Sequence, residues 1–105
     1  MTLQVKTTVW AMRTRGRGDA KQPYECQWDI GWPSAKHSLV PFFVLVDLKN
    51  FAELPDCYIV PLRVIRRYFK RGPKNWPRAR YHERIEKLAP FKNKWALLKR
   101  ALRSR

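Results

Sequence analysis

Near Pro61 the chain changes the period of its hydrophobic pattern. Before it, apolar residues alternate with polar ones or run together in short blocks. After it, they return every three or four positions. "LQVKTT" sets Leu3 and Val5 against Gln4 and Lys6, followed by the β-branched Thr7, Thr8 and Val9 and by Trp10, the pattern of a half-buried strand. "RTRGRGDAKQP" reads as a basic loop that Gly16 and Gly18 loosen and Pro23 ends. "YECQWDI" places Tyr24, Cys26, Trp28 and Ile30 on one side and Glu25, Gln27 and Asp29 on the other, a strand with one wet face. "GWPSAKHS" is a connection. "PFFVLVDL" reads as a central strand apolar on both faces, and after the loop "KNFAELPD" it pairs with "CYIVP" as a hairpin.

Beyond Pro61 the spacing predicts helices. In "PLRVIRRYFKR", Val64 and Tyr68, and Ile65 and Phe69, meet at i,i+4 while Arg63, Arg66, Arg67, Lys70 and Arg71 face elsewhere, and Gly72-Pro73 is a stop. "GPKNWPRA" is a loop. "YHERIEKL" aligns Tyr81, Ile85 and Leu88, and "FKNKWALLKRALRSR" aligns Phe91, Trp95, Leu98 and Leu102. The fold class expected is therefore α+β within one domain, 1–105. Residues 1–62 are mainly strands, about four of them in a small antiparallel or mixed sheet, and 63–105 form a part with two or three basic amphipathic helices.

Charge sharpens this division. The chain carries +15, but residues 1–60 hold seven Lys/Arg against six Asp/Glu, whereas residues 61–105 hold sixteen against two. A basic half interleaved with Trp, Tyr and Phe is the footprint of a nucleic-acid binder. An apolar content of 45% argues against disorder. The longest apolar run, "LVPFFVLV", is far short of the ~20 residues of a membrane helix, and Gln4 and Lys6 interrupt any signal-peptide pattern. The expectation is a soluble, intracellular protein with no membrane partner. Cys26 and Cys57 read as free thiols, and His37 and His82 lack ligand spacing, so no metal site is expected.

"LQVKTT", a strand with a Trp, "FFVLVDLKN", then "LPDCYIVP" ahead of a helix together resemble the C-terminal part of small PD-(D/E)XK proteins, the restriction-endonuclease-like nuclease superfamily, in a branch with many prokaryotic and phage members. The resemblance runs from Leu3 to about Arg71 and implies a truncated restriction-endonuclease-like core. It also implies a metal-dependent phosphodiesterase, in which an acid on one strand and the residue two before a lysine hold Mg²⁺ while the lysine orients the attacking water. Gln4 matches the second ligand position and Lys6 the lysine. The family's leading Asp should lie upstream, and no carboxylate precedes Lys6. Asp47 and Asp29 are the carboxylates on neighbouring strands, Asp47 being the better stand-in although its family position looks structural. Gln4, Lys6 and Asp47 are thus vestigial candidates, and Mg²⁺ is expected only if catalysis survives.

Three functions compete. One is a nuclease-derived module that binds DNA or RNA without cleaving it, through Lys6, Arg63, Arg66, Arg67, Lys70, Arg71, Lys74, Trp76, Arg78 and Arg80. The second is a small phage-type inhibitor that docks on a host nuclease or nucleoprotein complex. The third is an Mg²⁺-dependent endonuclease with a rearranged site. In the loop, Trp76 either stacks on a base or anchors the chain, and the arginines offer bidentate forks for phosphate.

Overall fold

A computed structural model describes residues 3–31, 39–71 and 79–103. Its class is α+β, with two three-stranded sheets and short helices. The strands are β1 (Gln4–Thr8), β2 (Met12–Arg15), β3 (Gln22–Asp29), β4 (Phe42–Asp47), β5 (Asp56–Pro61) and β6 (Arg80–Arg84). The helices are α1 (Leu62–Arg71), α2 (Ile85–Leu88) and α3 (Ala96–Arg103). The first sheet has the order β1-β4-β5, with β1 parallel and β5 antiparallel to β4. The second has the order β2-β3-β6 and is antiparallel throughout.

The core forms where one face of each sheet meets the other. Phe43, Leu45, Tyr58 and Val60 come from the first sheet, Cys26, Trp28 and Tyr81 from the second, and Ile65 from α1. Trp28 links the layers twice. Its Nε1 donates to the Val46 carbonyl at 3.0 Å, and its ring meets Tyr58 edge-on with centroids 5.4 Å apart. Buried indole N–H groups need such an acceptor. The β4–β5 hairpin matches the sequence pattern, as does the double-faced burial of β4: Val44 and Ile59 are buried on the face opposite Phe43 and Leu45.

Several expectations need correction. Among the described residues six strands replace about four, because the "RTR" stretch pairs with β3 and "YHER" forms β6 inside the part expected to be helical. Tyr81 is wholly buried opposite Trp28 while Arg80 stays exposed, and completing the second edge of β3 outweighs the helical spacing of Tyr81, Ile85 and Leu88. The last helix begins at Ala96 rather than near Phe91, leaving Trp95 45% exposed. Here Asn93 adopts a positive φ of 53°, donates its N–H to the Cys57 carbonyl at 2.6 Å and accepts the Cys57 N–H on Oδ1 at 3.0 Å. Those bonds tie the segment to β5 and prevent it from coiling earlier. The connection at 32–38 and the loop at 72–78 lie outside the described residues.

In β1 the expected facing is reversed. Gln4, Lys6 and Thr8 are half-buried beside Phe43, Leu45 and Asp47, whereas Val5 is 57% exposed. The parallel register dictates this, because neighbours across a ladder share a face. Lysine tolerates the position by laying its methylene stem on the sheet and sending its ammonium towards water.

Asp47 closes the first sheet. Its carboxylate, 2% exposed, accepts the Ala11 N–H at 3.1 Å and the Lys49 N–H at 2.9 Å through Oδ1. Ala11 lies on the crossover into β2, and Lys49 opens a turn in which Lys49, Asn50 and Phe51 all hold positive φ (52°, 56° and 61°). Such left-handed runs are costly for side-chain-bearing residues and persist only where the surroundings fix them. Lys49 Nζ secures the turn from the other side, at 2.7 Å from Asp56 Oδ2, where Lys92 also approaches to 3.3 Å. Burial pushes the Asp56 carboxyl up, but the Lys49 hydrogen bond and the Lys92 charge outweigh it, and the group ends below its usual value.

Two expected outcomes follow from this packing. Removing the Asp47 carboxylate strands one buried and one part-buried donor, so Asp47→Ala is expected to cost about 2–3 kcal/mol in urea unfolding, and Asp47→Asn, which keeps an acceptor oxygen, clearly less. Burial, with help from the Asp47 charge, also pushes the Cys26 thiol from its ordinary 9.0 up to about 11. The folded state thus resists losing that proton, so its contribution is complete below pH 9 and drains away as pH rises towards about 11. Unfolding free energies measured across this window are expected to fall more steeply in wild type than in Cys26→Ala; parallel curves would contradict the assignment.

Candidate nucleic-acid interface

Helix α1 has two chemically opposite sides. Ile65 is fully buried, and Leu62, Val64, Tyr68 and Phe69 pack against the core. Tyr68 meets Tyr81 of β6 edge-on at 5.1 Å, which fixes the rotation of the helix. Arg63, Arg66, Arg67 and Lys70 are consequently exposed, and with Leu62 they line an open groove of about 800 Å³. Their spacing of three and four residues stacks them as neighbours along about 10 Å of helix.

Like charges at these spacings repel by about 0.2–0.5 kcal/mol per pair, and α1 itself contains no acidic residue. A polyanion lying along the groove removes that repulsion. Guanidinium groups suit it, since each presents a planar fork matching two phosphate oxygens.

The remaining expected residues divide. Lys6 sits on β1, the edge of its sheet opposite β5, which leads into α1; two strand spacings, about 10 Å, separate them. Arg80 is exposed on β6, in register with Asp29 of β3. Lys74, Trp76 and Arg78 lie outside the described residues, as does the side chain of Arg71. Sequence reasoning missed a second cationic cluster: Arg15 and Arg84 each approach the ring of Tyr24, at 4.9 and 5.0 Å from its centroid. The contributing residues come from three strands, and no local spacing signals the cluster.

The vestigial candidates Gln4, Lys6 and Asp47 do share one face of the first sheet. Gln4 is level with Phe43, however, and Asp47 with Thr8, four residues along. At about 3.3 Å per residue they stand roughly 13 Å apart, beyond sharing a cation that needs ligands at about 2.0–2.6 Å. Asp47 Oδ1 is already committed to two backbone donors. Asp29 is exposed at the end of β3. These residues do not fit the Mg²⁺ site that the nuclease resemblance implies. Among the described residues, no three His, Cys, Asp or Glu side chains group as a metal site, and no described helix is long and apolar enough to cross a membrane.

Comparisons with protein-family models, with curated proteins and with solved structures return no match.

The misfit at Gln4 and Asp47 has a measurable consequence. Plasmid DNA incubated with the protein and Mg²⁺ or Mn²⁺ is expected to remain intact at the background rate. Metal-dependent nicking that disappears in Lys6→Ala would overturn this expectation.

Proposed function

We propose that this protein binds DNA or RNA through the exposed cations of α1 and does not cleave it. The observation that carries the reading is the arrangement of Arg63, Arg66, Arg67 and Lys70 around an open groove, on a helix held by Ile65 and Tyr68. The exposed face offers arginine and lysine but no Asn, Gln or acid; its guanidinium forks suit phosphate oxygens and the O6/N7 edge of guanine, and it has no amide to pair with adenine. Descent from a PD-(D/E)XK nuclease is part of the same proposal, resting on the order of motifs from Leu3 to Arg71. Gln4 at a ligand position, and an Asp47 carboxylate committed to two backbone donors, account for binding without hydrolysis.

A second reading, docking on another protein or a nucleoprotein complex, draws on a different observation. Phe51 and Leu54 are 75% and 87% exposed in the turn after β4, and the Asn50 N–H donates to the carbonyl of Val9, itself exposed beside exposed Trp10. Apolar side chains presented by a strained turn are unusual on a solvated surface.

Titration of labelled DNA and RNA, with and without Mg²⁺, separates the readings. If about six phosphates are neutralised, log affinity for duplex falls against log salt with a slope near −5. Reversing Arg63, Arg66 and Arg67 to Glu is expected to weaken binding at least tenfold. Reversing the exposed Lys87, Lys94 and Lys99, which changes net charge equally, is expected to cost much less. Equal losses would assign binding to bulk charge, and a partner retained after nuclease treatment would favour docking.

A further inference from the structure

The β2–β3 hairpin holds a concave site that shares no residue with the α1 groove. It encloses about 290 Å³ and is lined by Arg15, Gly16, Ala20, Gln22, Pro23, Tyr24, Arg84 and Glu86. Its construction starts from an irregularity. Arg13 pairs with Glu25 but Thr14 pairs with Pro23, so Tyr24 is an extra residue, a bulge in β3. The bulge re-aims Tyr24, which sequence alternation would have sent to the core with Cys26 and Trp28. Its ring instead meets Arg15 from the end of β2 and Arg84 from the end of β6. Pro23, having no N–H to give, falls just beyond the last β3–β6 pair at Glu25 and Arg84. On the hairpin side the wall is closed by Gly16, at φ 114°, where a Cβ would stand 2.5 Å from the Ala20 carbonyl oxygen.

We infer that this cleft is a phosphate site, taking a phosphate monoester between Arg15 and Arg84. The two guanidinium carbons lie within about 10 Å of each other, since each is about 5 Å from the same ring centroid. A cation–π contact uses no N–H group, so the Tyr24 ring holds both guanidinium groups without consuming donors. Arg84 has one nitrogen engaged, with Nε 2.8 Å from Glu86 Oε1, which leaves its two Nη groups. Among the described residues no carboxylate pairs with Arg15. The volume is small for a drug-sized ligand but suits a phosphate with part of a sugar. Gln22 lines the same cleft. Glu86 is the internal competitor, because its charge opposes a phosphate dianion and occupies Arg84.

The test uses the full chain and inorganic phosphate, followed by amide NMR shifts at constant ionic strength with chloride as the reference anion. Saturable shifts at Gln22, Tyr24 and Arg84 are expected. Arg15→Gln is expected to weaken phosphate at least fivefold, and Glu86→Gln to tighten it, a gain that a merely structural role for Glu86 would not give. Tyr24→Phe, which keeps the ring, is expected to bind as wild type does. Reversal of Arg63, Arg66 and Arg67 is expected to leave these shifts unchanged, so failure here is distinct from failure of the α1 reading. Competition by a 5′-phosphorylated oligonucleotide, but not by its 5′-hydroxyl twin, would identify a strand end as the source; its absence would identify free phosphate. Shifts that do not saturate, that chloride reproduces, or that survive Arg15→Gln would overturn the inference.

Discussion

The buried carboxylate of Asp47 is the constraint on which the first sheet depends. An ionisable side chain with almost no exposure is costly unless its oxygens are satisfied, and here one oxygen collects two backbone donors, from Ala11 and Lys49. The first donor belongs to the crossover that carries the chain from one sheet to the other, and the second to the left-handed turn that returns it into β5. Next to Asp47, the Val46 carbonyl receives the Trp28 indole from the facing sheet. Crossover, turn and inter-sheet contact thus converge on two consecutive residues at the end of β4.

The basic surface inherits its geometry from this arrangement. Strand β5 runs directly into α1, so the sheet sets where the helix starts, and Ile65 and Tyr68 set how it is rotated. Once that apolar side is buried, the arginines have only the solvent side left. Charge therefore becomes a shaped feature, a groove with cations at helical spacing. The cluster at Tyr24 arises by a different route, from a bulge and the ends of three strands.

How much of this was legible depended on how local each determinant is. The apolar block of β4, its hairpin with β5 and the facing of α1 follow from residues within one or two turns of each other, and those readings match. For Asp47 a structural role was implied only by the nuclease resemblance, and nothing local to it identifies Ala11, thirty-six residues away, as a donor. What failed required knowledge of neighbours. The facing of β1 is set by its parallel register with β4, which "LQVKTT" does not encode; strand β6 exists because β3 has a second edge to fill. The delayed start of α3 comes from Asn93 bonding to Cys57, thirty-six residues away. Arg15, Tyr24 and Arg84 give no sequence signal at all, since the bulge that joins them is visible only in the pairing.

On the proposed reading a defined face of α1, rather than total charge, meets nucleic acid. Amide NMR shifts recorded while a short duplex or single strand is added at physiological salt test it most directly. The largest changes are expected from Arg63 to Lys70, with the turn at Lys49–Phe51 and the strand β4 little affected. Changes spread evenly over the basic residues of the chain, or concentrated at the apolar turn, would contradict it.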